Sequence, residues 1–176
     1  MWAKYTQRGF TIVELLIVIV VIGILAAISI VAYGNVQKTA QNTKINSDLV
    51  TLSKVMTLAR TSASKTLGQI TGNNYSAGVC FTKPNDTNLA ALPTSDACWV
   101  TYLSDLNLLS VASGVNIRNL VDPWGRPYAI DENEGEAGGC TVDSIRAYAQ
   151  PFVTNASYAG LNAVLVPLSG FSGCTP

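Results

Sequence analysis

The sequence contains no histidine and few charged residues. Charged side chains make up 12% of its 176 residues, which is about half of the roughly 25% usual in soluble domains. The 11 Lys and Arg balance the 11 Asp and Glu, so neither a strongly basic nucleic-acid binder nor an acidic disordered tail is indicated. The absence of histidine excludes histidine-based catalysis and histidine-ligated metal sites.

Motifs that carry enzyme chemistry are missing as well. There is no G-x-S-x-G nucleophile elbow and no Gly-rich phosphate-binding loop. The four cysteines include no C-x-x-C pair, which argues against zinc and thioredoxin chemistry. We therefore expect a protein that is not an enzyme and that needs no cofactor.

One long apolar segment lies near the N-terminus. Residues 10–33 hold 20 apolar residues out of 24, and no charge occurs from Leu15 to Gln37. The stretch Leu15 to Tyr33 would span roughly 28 Å as a helix, close to the roughly 30 Å hydrocarbon core of a bilayer. In lipid the backbone must satisfy its own hydrogen bonds, so we expect one membrane-spanning helix.

Three interpretations of this segment compete. A secretory signal peptide has a shorter apolar core, of about 7 to 15 residues, that ends at a small-residue cleavage site; here the weak candidate Ala27-Ile28-Ser29 lies inside the run. A plain single-pass anchor fits the length, although lysines follow the run as well as precede it. The third interpretation begins from Glu14.

Glu14 places a carboxylate inside the apolar run, where it costs several kcal/mol unless it is paired. If the chain were cut after Gly9, the new amino group of Phe10 would supply a positive charge four residues before Glu14. That amine could belong to the same chain or to a neighbouring one. A neighbouring amine would specify how one helix is staggered against the next.

The residues around this site form a recognisable pattern. A basic stretch from Lys4 to Arg8 is followed by Gly9-Phe10-Thr11-Ile12-Val13-Glu14-Leu15-Leu16 and then by the apolar run. This pattern resembles the class III leader and N-terminal helix of type IV pilins and pseudopilins. The resemblance implies that a prepilin peptidase cleaves after Gly9, that Phe10 becomes the N-methylated first residue, and that Glu14 pairs with the first-residue amine of an adjacent subunit. Unlike many pilins, this sequence has no proline midway along the helix.

The resemblance implies a structural subunit of a type IV pilus, which supports adhesion, twitching motility or DNA uptake. Residues 1–9 would be the removed leader, 10–34 the transmembrane and filament-core helix, and 35–176 the globular domain. The implied partners are identical copies, the prepilin peptidase and N-methyltransferase, and the assembly platform with its ATPase. The precursor would span the inner membrane once with its C-terminal domain outside, and the assembled filament would be extracellular. The alternative is the major pseudopilin of a type II secretion or competence pseudopilus.

Nucleic acid is not indicated as a partner, because removal of the leader leaves 9 positive against 11 negative side chains.

Beyond the apolar run, an amphipathic pattern predicts that the helix continues to about Thr66, before a turn-rich segment at 71–74. Apolar residues recur at spacings of three and four at Ile45, Leu49, Leu52, Met56, Ala59 and Ala63. The spacing of apolar residues from Asp96 to Leu109 predicts a second helix, with Pro93-Thr94-Ser95 as its N-terminal cap.

Three later segments have the composition of strands, separated by Gly-rich or Asn-rich breaks at 135–139 and 154–160. They are Arg126 to Asp131, Thr141 to Gln150 and Leu161 to Leu168. We therefore expect an α+β fold of the type IV pilin kind, with the long N-terminal helix packed on a C-terminal antiparallel sheet of about three strands.

The motif Asp122-Pro123-Trp124-Gly125 has good turn chemistry, and Pro127 suits the first residue of a strand. We expect a turn with Trp124 packed in the core. Similar DPWG sequences occur at the start of the sheet in major pseudopilins and in some pilins.

All four cysteines follow the membrane segment, at Cys80, Cys98, Cys140 and Cys174. An even number in a domain outside the membrane predicts two disulfides. Of the three possible connectivities we favour Cys80 with Cys98 and Cys140 with Cys174, because the latter would tie the C-terminus to the second strand; free buried thiols are the alternative.

An acidic cluster beside Gly135 comprises Asp131, Glu132, Glu134 and Glu136. Clustered carboxylates can hold Ca²⁺, but the spacing does not match an EF-hand loop. Some pseudopilins bind calcium near their C-terminus, and their ligand pattern is not matched here. We therefore prefer a solvated acidic hairpin tip over a metal site.

Overall fold

The computed structural model describes residues 9–72, 76–132 and 143–162. By its internal contacts the chain divides into two compact units, Met1–Gln41 and Asn42–Pro176. The described elements are the helices α1 (Ile12–Ala63), α2 (Leu67–Thr71), α3 (Ser76–Phe81) and α4 (Ala97–Ser113), a 3₁₀ turn at Leu89–Ala91, and the strands β1 (Ala129–Asp131), β2 (Ser144–Tyr148) and β3 (Ser157–Asn162).

In the first unit, helix α1 presents apolar side chains to its surroundings in every direction. The large apolar residues between Phe10 and Val36 are 48 to 86% exposed. By length and composition α1 can cross a membrane, and the most apolar 18-residue window has no buried residue. The predicted apolar helix is thus present, with its first helical residue at Ile12 instead of Phe10.

In the second unit, the remainder of α1 forms one wall of the hydrophobic core. The stripe predicted from the sequence is buried at Ile45, Leu49, Leu52, Met56 and Ala59. It packs in one cluster with apolar residues of α4 and of the sheet, namely Trp99, Tyr102, Leu106, Leu109, Ile130 and Ile145. The amphipathic interpretation of both helices is therefore confirmed.

The three strands form an antiparallel sheet in the order β1-β2-β3. Ile130 of β1 lies opposite Ile145 of β2, and Ala147 of β2 lies opposite Ala159 of β3. The predicted α+β class and its antiparallel sheet are confirmed, and the arrangement is consistent with the pilin fold that the resemblance implies.

The bounds of all three strands differ from the predicted ones; β2, predicted to run from Thr141 to Gln150, is Ser144–Tyr148 and ends before the Ala149 carbonyl and the Gln150 side chain, which accept bonds from Arg126. β1 begins at Ala129 and not at Arg126, because Pro127 has no N–H and the Arg126 carbonyl already accepts a bond from the Asp122 N–H. β3 begins at Ser157, inside the predicted break, where Gly160 pairs with Arg146. Residues 141–142 and 163–168 of the predicted strands lie outside the described residues.

Helix α1 ends at Ala63, three residues before the predicted end. Thr66 instead caps α2: its hydroxyl accepts the Gln69 N–H while the Gln69 side chain accepts the Thr66 N–H. The turn-rich interpretation of this region thus missed α2, and it missed α3 as well. Helix α4 is capped by the Asp96 carboxylate rather than by Thr94 or Ser95, and it continues to Ser113.

Candidate functional site

Residues Gly9 to Thr11 precede the first helical turn of α1, and the chain there is exposed. Thr11 and Glu14 form a reciprocal cap at the head of the helix. The Glu14 carboxylate accepts bonds from the Thr11 N–H at 2.9 Å and from the Thr11 hydroxyl at 2.8 Å, while the Glu14 N–H donates to the Thr11 hydroxyl oxygen at 3.2 Å. Each group satisfies a donor that the first turn would otherwise leave unpaired.

Gly9, Phe10 and Glu14, the three residues that the sequence singled out, lie at this end of α1, but only Glu14 takes part in the cap. Gly9 and Phe10 lie immediately before the cap, and Phe10 is 86% exposed. Among the described residues, the Glu14 carboxylate makes no ion pair. The two hydrogen bonds that it accepts both come from Thr11. A carboxylate at this position is therefore hydrogen-bonded within its own chain and still available to a cation.

The part of α1 that follows Glu14 exposes a continuous apolar surface. Burying an exposed Val, Leu or Ile side chain gains about 1.5 to 3 kcal/mol. The exposed apolar side chains from Phe10 to Val36 together amount to tens of kcal/mol by that measure. Hydrocarbon, or the apolar surface of other chains, would provide this burial.

Cys80 and Cys98 form a disulfide that joins α3 to α4, with their Cα atoms 4.6 Å apart and both residues fully buried. The favoured pairing of these two cysteines is confirmed. Cys140 and Cys174 lie outside the described residues, so the second pairing stays a prediction.

A salt bridge lies beside this disulfide. The Lys83 ammonium is 2.6 Å from the Asp96 carboxylate. The hydrogen bond from Lys83, followed by that from the Cys98 N–H, lowers the pKa of Asp96. Asp96 thereby fixes the start of α4 next to the cross-link.

The DPWG motif forms a tight turn held by a buried ion pair. The Asp122 carboxylate accepts bonds from the Trp124 N–H, the Arg126 N–H and the Arg126 Nε, at 2.9, 2.8 and 2.7 Å. Gly125 has a φ of 76°, a left-handed conformation that favours glycine. Trp124 is only partly buried, although it packs against the core as predicted.

Arg126 connects this turn to the end of β2. Its Nη1 donates to the Ala149 carbonyl and to the Gln150 side chain, each at 2.7 Å, and its Nη2 donates to the Tyr148 carbonyl at 2.8 Å. The sequence interpretation missed this role, since it treated the residue as the start of a strand. The available signal was an acid and an arginine four residues apart around a Gly turn.

The acidic cluster is only partly described. Asp131 lies 3.9 Å from Arg146 at the sheet surface, and Glu132 is buried. Glu134 and Glu136 lie outside the described residues, so the preference for a solvated tip over a calcium site stays a prediction. Within the described ranges, no group of three or more potential ligands is arranged to hold a metal ion.

Sequence reasoning also missed Asp105, a fully buried carboxylate on α4. Burial raises the pKa of Asp105 to about 9, the negative charge of Glu132 adds to the rise, and Ser76 partly opposes it. The Asp105 carboxyl is therefore protonated at neutral pH.

Comparison with known proteins finds a known sequence motif in the N-terminal segment. The profile described as the prokaryotic N-terminal methylation motif matches residues 4–30. A fimbrial protein of Neisseria meningitidis serogroup B is 41% identical over 73 residues, which is 42% of this chain and 41% of that protein. The type IV major alpha-pilin of Moraxella bovis is 49% identical over 43 residues, 24% of this chain and 27% of that protein.

A third relative is similar over a longer range. The type II secretion system core protein G of Pectobacterium carotovorum is 26% identical over 147 residues, 84% of this chain and 80% of that protein. The chain matches less than half the length of the two pilins above. No solved structure matches the chain significantly. The similarity to these pilins thus covers less than half of the chain, whereas the methylation motif is assigned to residues 4–30.

Proposed function

We propose that this chain is the precursor of a structural filament subunit: a prepilin that is inserted in the membrane, cleaved after Gly9, methylated at Phe10 and polymerised through α1. The observation that carries the proposal is the methylation motif at residues 4–30, which ends in an exposed apolar helix headed by Glu14. A membrane and a bundle of identical helices are the two environments that this helix can occupy without facing water.

Glu14 gives the polymer its register. In the precursor, its carboxylate is bonded to Thr11 of the same chain. A neighbouring Phe10 amine carries a positive charge, so its bond to the carboxylate adds the attraction of opposite charges, which the bonds from the uncharged Thr11 groups lack; docking therefore exchanges the intrachain partner for an intermolecular one. Because an unpaired carboxylate in an apolar bundle is costly, only a stagger that supplies the amine is stable.

The proposed partners follow from this cycle. A membrane prepilin peptidase would recognise the exposed residues before α1 and methylate the new N-terminus. Further copies of the chain, an assembly platform and an ATPase would extract the helix from the bilayer. The second unit would lie outside the cytoplasmic membrane in the precursor and at the surface of the extracellular filament, where it would support adhesion, twitching motility or DNA uptake.

The second candidate is the major pseudopilin of a type II secretion pseudopilus. Two features favour it: the similarity to a core protein G extends over 84% of the chain, and the chain carries the DPWG sequence, which resembles the start of the sheet in major pseudopilins. Deletion of the gene separates the two candidates. If the deletion strain loses its surface filaments but still exports its secreted enzymes, the chain is the pilin. If the strain keeps its filaments but no longer exports these enzymes, the chain is the pseudopilin.

Mass spectrometry of the mature chain tests the proposal directly. We expect the chain to begin at Phe10 with one added methyl group on its amine. An intact Met1 would contradict processing, and a chain beginning after Ser29 would instead indicate a signal peptide.

Substitution Glu14→Gln tests the assembly step. The variant keeps the shape of the side chain and can still bond Thr11, but it has no charge to pair with the amine. We expect normal membrane insertion and cleavage with at least about a tenfold loss of filaments, since each tenfold corresponds to about 1.4 kcal/mol. The matched control is Asp86→Asn, which removes an exposed carboxylate from the second unit; equal filament yields for the two variants would contradict the role of Glu14.

A further inference from the structure

Helix α4 carries apolar residues on both of its sides, although only one side faces the core of the second unit. The core side includes Trp99, Tyr102 and Leu106. On the outer side, Val100 and Val111 are 52 and 66% exposed, and their spacing of 11 residues places them on one helical face. A helix that is apolar all round is normally buried on every side. The outer side of α4 is therefore suited to burial against another surface.

The outer side of α4 forms an uncharged patch with an arginine at its edge. This α4 patch consists of Val100, Asn107 and Val111, and the one acidic or basic residue of the helix, Asp105, is buried on the other side. The Arg118 Nε donates to the Asn107 side chain at 2.8 Å, which holds the guanidinium beside the patch. In the part of the chain that the structure describes, its two terminal NH₂ groups make no hydrogen bond, so they can bind a carboxylate.

One exposed carboxylate of the second unit has no cation beside it. Asp86 is exposed, and within the described ranges its carboxylate makes neither an ion pair nor a hydrogen bond. Every other acidic side chain described in this unit is either paired with a basic residue or buried. Asp86 is therefore available to a cation of another molecule.

Asp86 lines a cleft of about 380 Å³ beside the DPWG turn. The other charged residue of this cleft, Arg126, already belongs to a buried ion pair, so Asp86 supplies the uncompensated charge. The Asp86 N–H donates to the Phe152 carbonyl at 2.8 Å, which places the following residue, Val153, next to the cleft. Val153 is 40% exposed. The cleft thus combines a free carboxylate with an apolar edge, and it complements Arg118 and the α4 patch in charge.

The two complementary groups lie toward opposite ends of α4. Lys83, three residues before Asp86, contacts the N-cap residue Asp96. Arg118 instead bonds Asn107, which lies 11 residue steps after the cap, roughly 16 Å along the helix axis. Salt bridges form within about 4 Å, and the structure shows no ion pair between Asp86 and Arg118. Pairing between two copies of the chain would satisfy both groups.

We propose that the cleft of one copy binds Arg118 of a second copy, with the α4 patch packed against Val153. Lys54 and Lys65 are also exposed and have no acidic partner among the described residues, but arginine is enriched and lysine depleted at protein interfaces. Because the two surfaces differ, the contact is heterologous and can repeat from copy to copy without closing. The inference rests on the proposed function, which supplies identical copies side by side.

Charge reversal tests the pairing through the yield of sheared surface filaments. Arg118→Glu sets two carboxylates against each other, and we expect at least about a tenfold loss. Asp86→Asn suits the left-handed backbone at φ 63° and removes only an exposed attraction, so its loss should stay below about fivefold, or about 1 kcal/mol. In the Arg118→Glu background the same change removes a repulsion and should raise the yield.

This reversal of sign distinguishes a contact between copies from a structural role of either residue. An undiminished yield in Arg118→Glu, or no rise when Asp86→Asn is added to it, would refute the pairing. The matched control adds Asp86→Asn to Lys54→Glu, where we expect no rise. A rise in the Lys54→Glu background would assign Asp86 to a different cation and would overturn the proposal.

Cross-linking tests the contact without relying on filament yield. A photoreactive amino acid replaces Val111 in the full chain, and whole cells are irradiated. We expect a covalent dimer of the chain in which the cross-link, mapped by mass spectrometry, reaches residues 86–88 or 150–153 of the second copy. The same group in place of Leu58, which is 42% exposed on α1, should not reach these residues. A cross-link from Val111 to another protein or to another part of the chain, no cross-link, or equal cross-linking from Leu58 would overturn the proposal.

Processing at Phe10, read by mass spectrometry, tests the filament proposal separately. Processed chains that assemble into filaments without the cross-link would overturn the contact and leave the filament. Unprocessed chains that form the cross-link would overturn the filament and leave the contact. The failure of one proposal is therefore distinguishable from the failure of the other.

Discussion

At the scale of single residues, Asp105 makes the stability of the second unit depend on pH. Its folded pKa of about 9 lies above the ordinary value of 3.8, so between these values the folded state holds a proton that the unfolded state releases. Stability is then complete at low pH and falls as the pH rises, by up to about 1.4 kcal/mol per pH unit.

We expect Asp105→Asn to remove this contribution, because the amide carries no titrating proton. Denaturant midpoints of the full chain in detergent, followed by tryptophan fluorescence at pH 5 and pH 8, measure the effect. The wild type should lose more stability across this interval than the variant. Equal losses in the two chains would contradict the assigned protonation.

Arg126 is the other residue on which a local arrangement depends. The Arg126→Met variant leaves the buried Asp122 carboxylate without its cation and frees three acceptors at the end of β2. Breaking a buried pair in this manner costs about 3 to 5 kcal/mol, measurable as a lower denaturant midpoint. The control Arg118→Met removes an exposed arginine bonded to Asn107 and should cost less than about 1 kcal/mol. Similar losses in both variants would refute the special role of the pair.

At the scale of elements, helix α1 offers a matched test of its buried stripe. Leu52 is fully buried and Leu58, on the same helix, is 42% exposed. We expect Leu52→Ala to destabilise the domain by about 2 to 5 kcal/mol through the cavity it leaves, and Leu58→Ala to cost about 0.5 kcal/mol or less. Chemical denaturation compares them, and a larger loss for Leu58→Ala would mean that the stripe is wrongly placed.

The elements that the sequence predicted are those whose apolar spacing directly reflects burial. The stripe of α1 and the face of α4 could be identified because each repeats for several turns against one core. Helix α2 was missed because Gly68 and Gly72 suggested a turn, although the Thr66 and Gln69 capping pair was present in the sequence. The start of β3 was missed because its pairing with β2, and not its own composition, determines it.

The sequence likewise predicted some residues of the candidate site and missed others. Gly9, Phe10 and Glu14 were identified because a charge inside an apolar run is conspicuous in a sequence. The partners of Arg126 are 22 to 24 residues away, and the burial of Asp105 depends on what α4 packs against. These contacts leave no local pattern, so only the structure could reveal them, whereas the pairing of Arg126 with Asp122, four residues earlier, was visible in the sequence.

At the scale of the whole molecule, the disulfide between Cys80 and Cys98 restricts the unfolded chain. Closing a loop with a sequence separation of 18 is worth about 3 kcal/mol in the chain-entropy model. We expect the double variant Cys80→Ser/Cys98→Ser to lose about that much stability, measured by denaturation under oxidising conditions. If the double variant is as stable as the wild type, the cross-link contributes nothing at equilibrium.

The buried stripe of α1 also has a mechanical consequence for a filament under tension. From Ile45 to Ala59 it covers 14 residue steps, roughly 21 Å along the helix axis. A force applied along that axis loads every contact of the stripe at once, in shear, whereas a force across it would peel the contacts one after another. In the filament proposed above, if α1 lay along the filament axis, traction would load the domain in this shear direction, and a subunit would keep its fold while it transmits load.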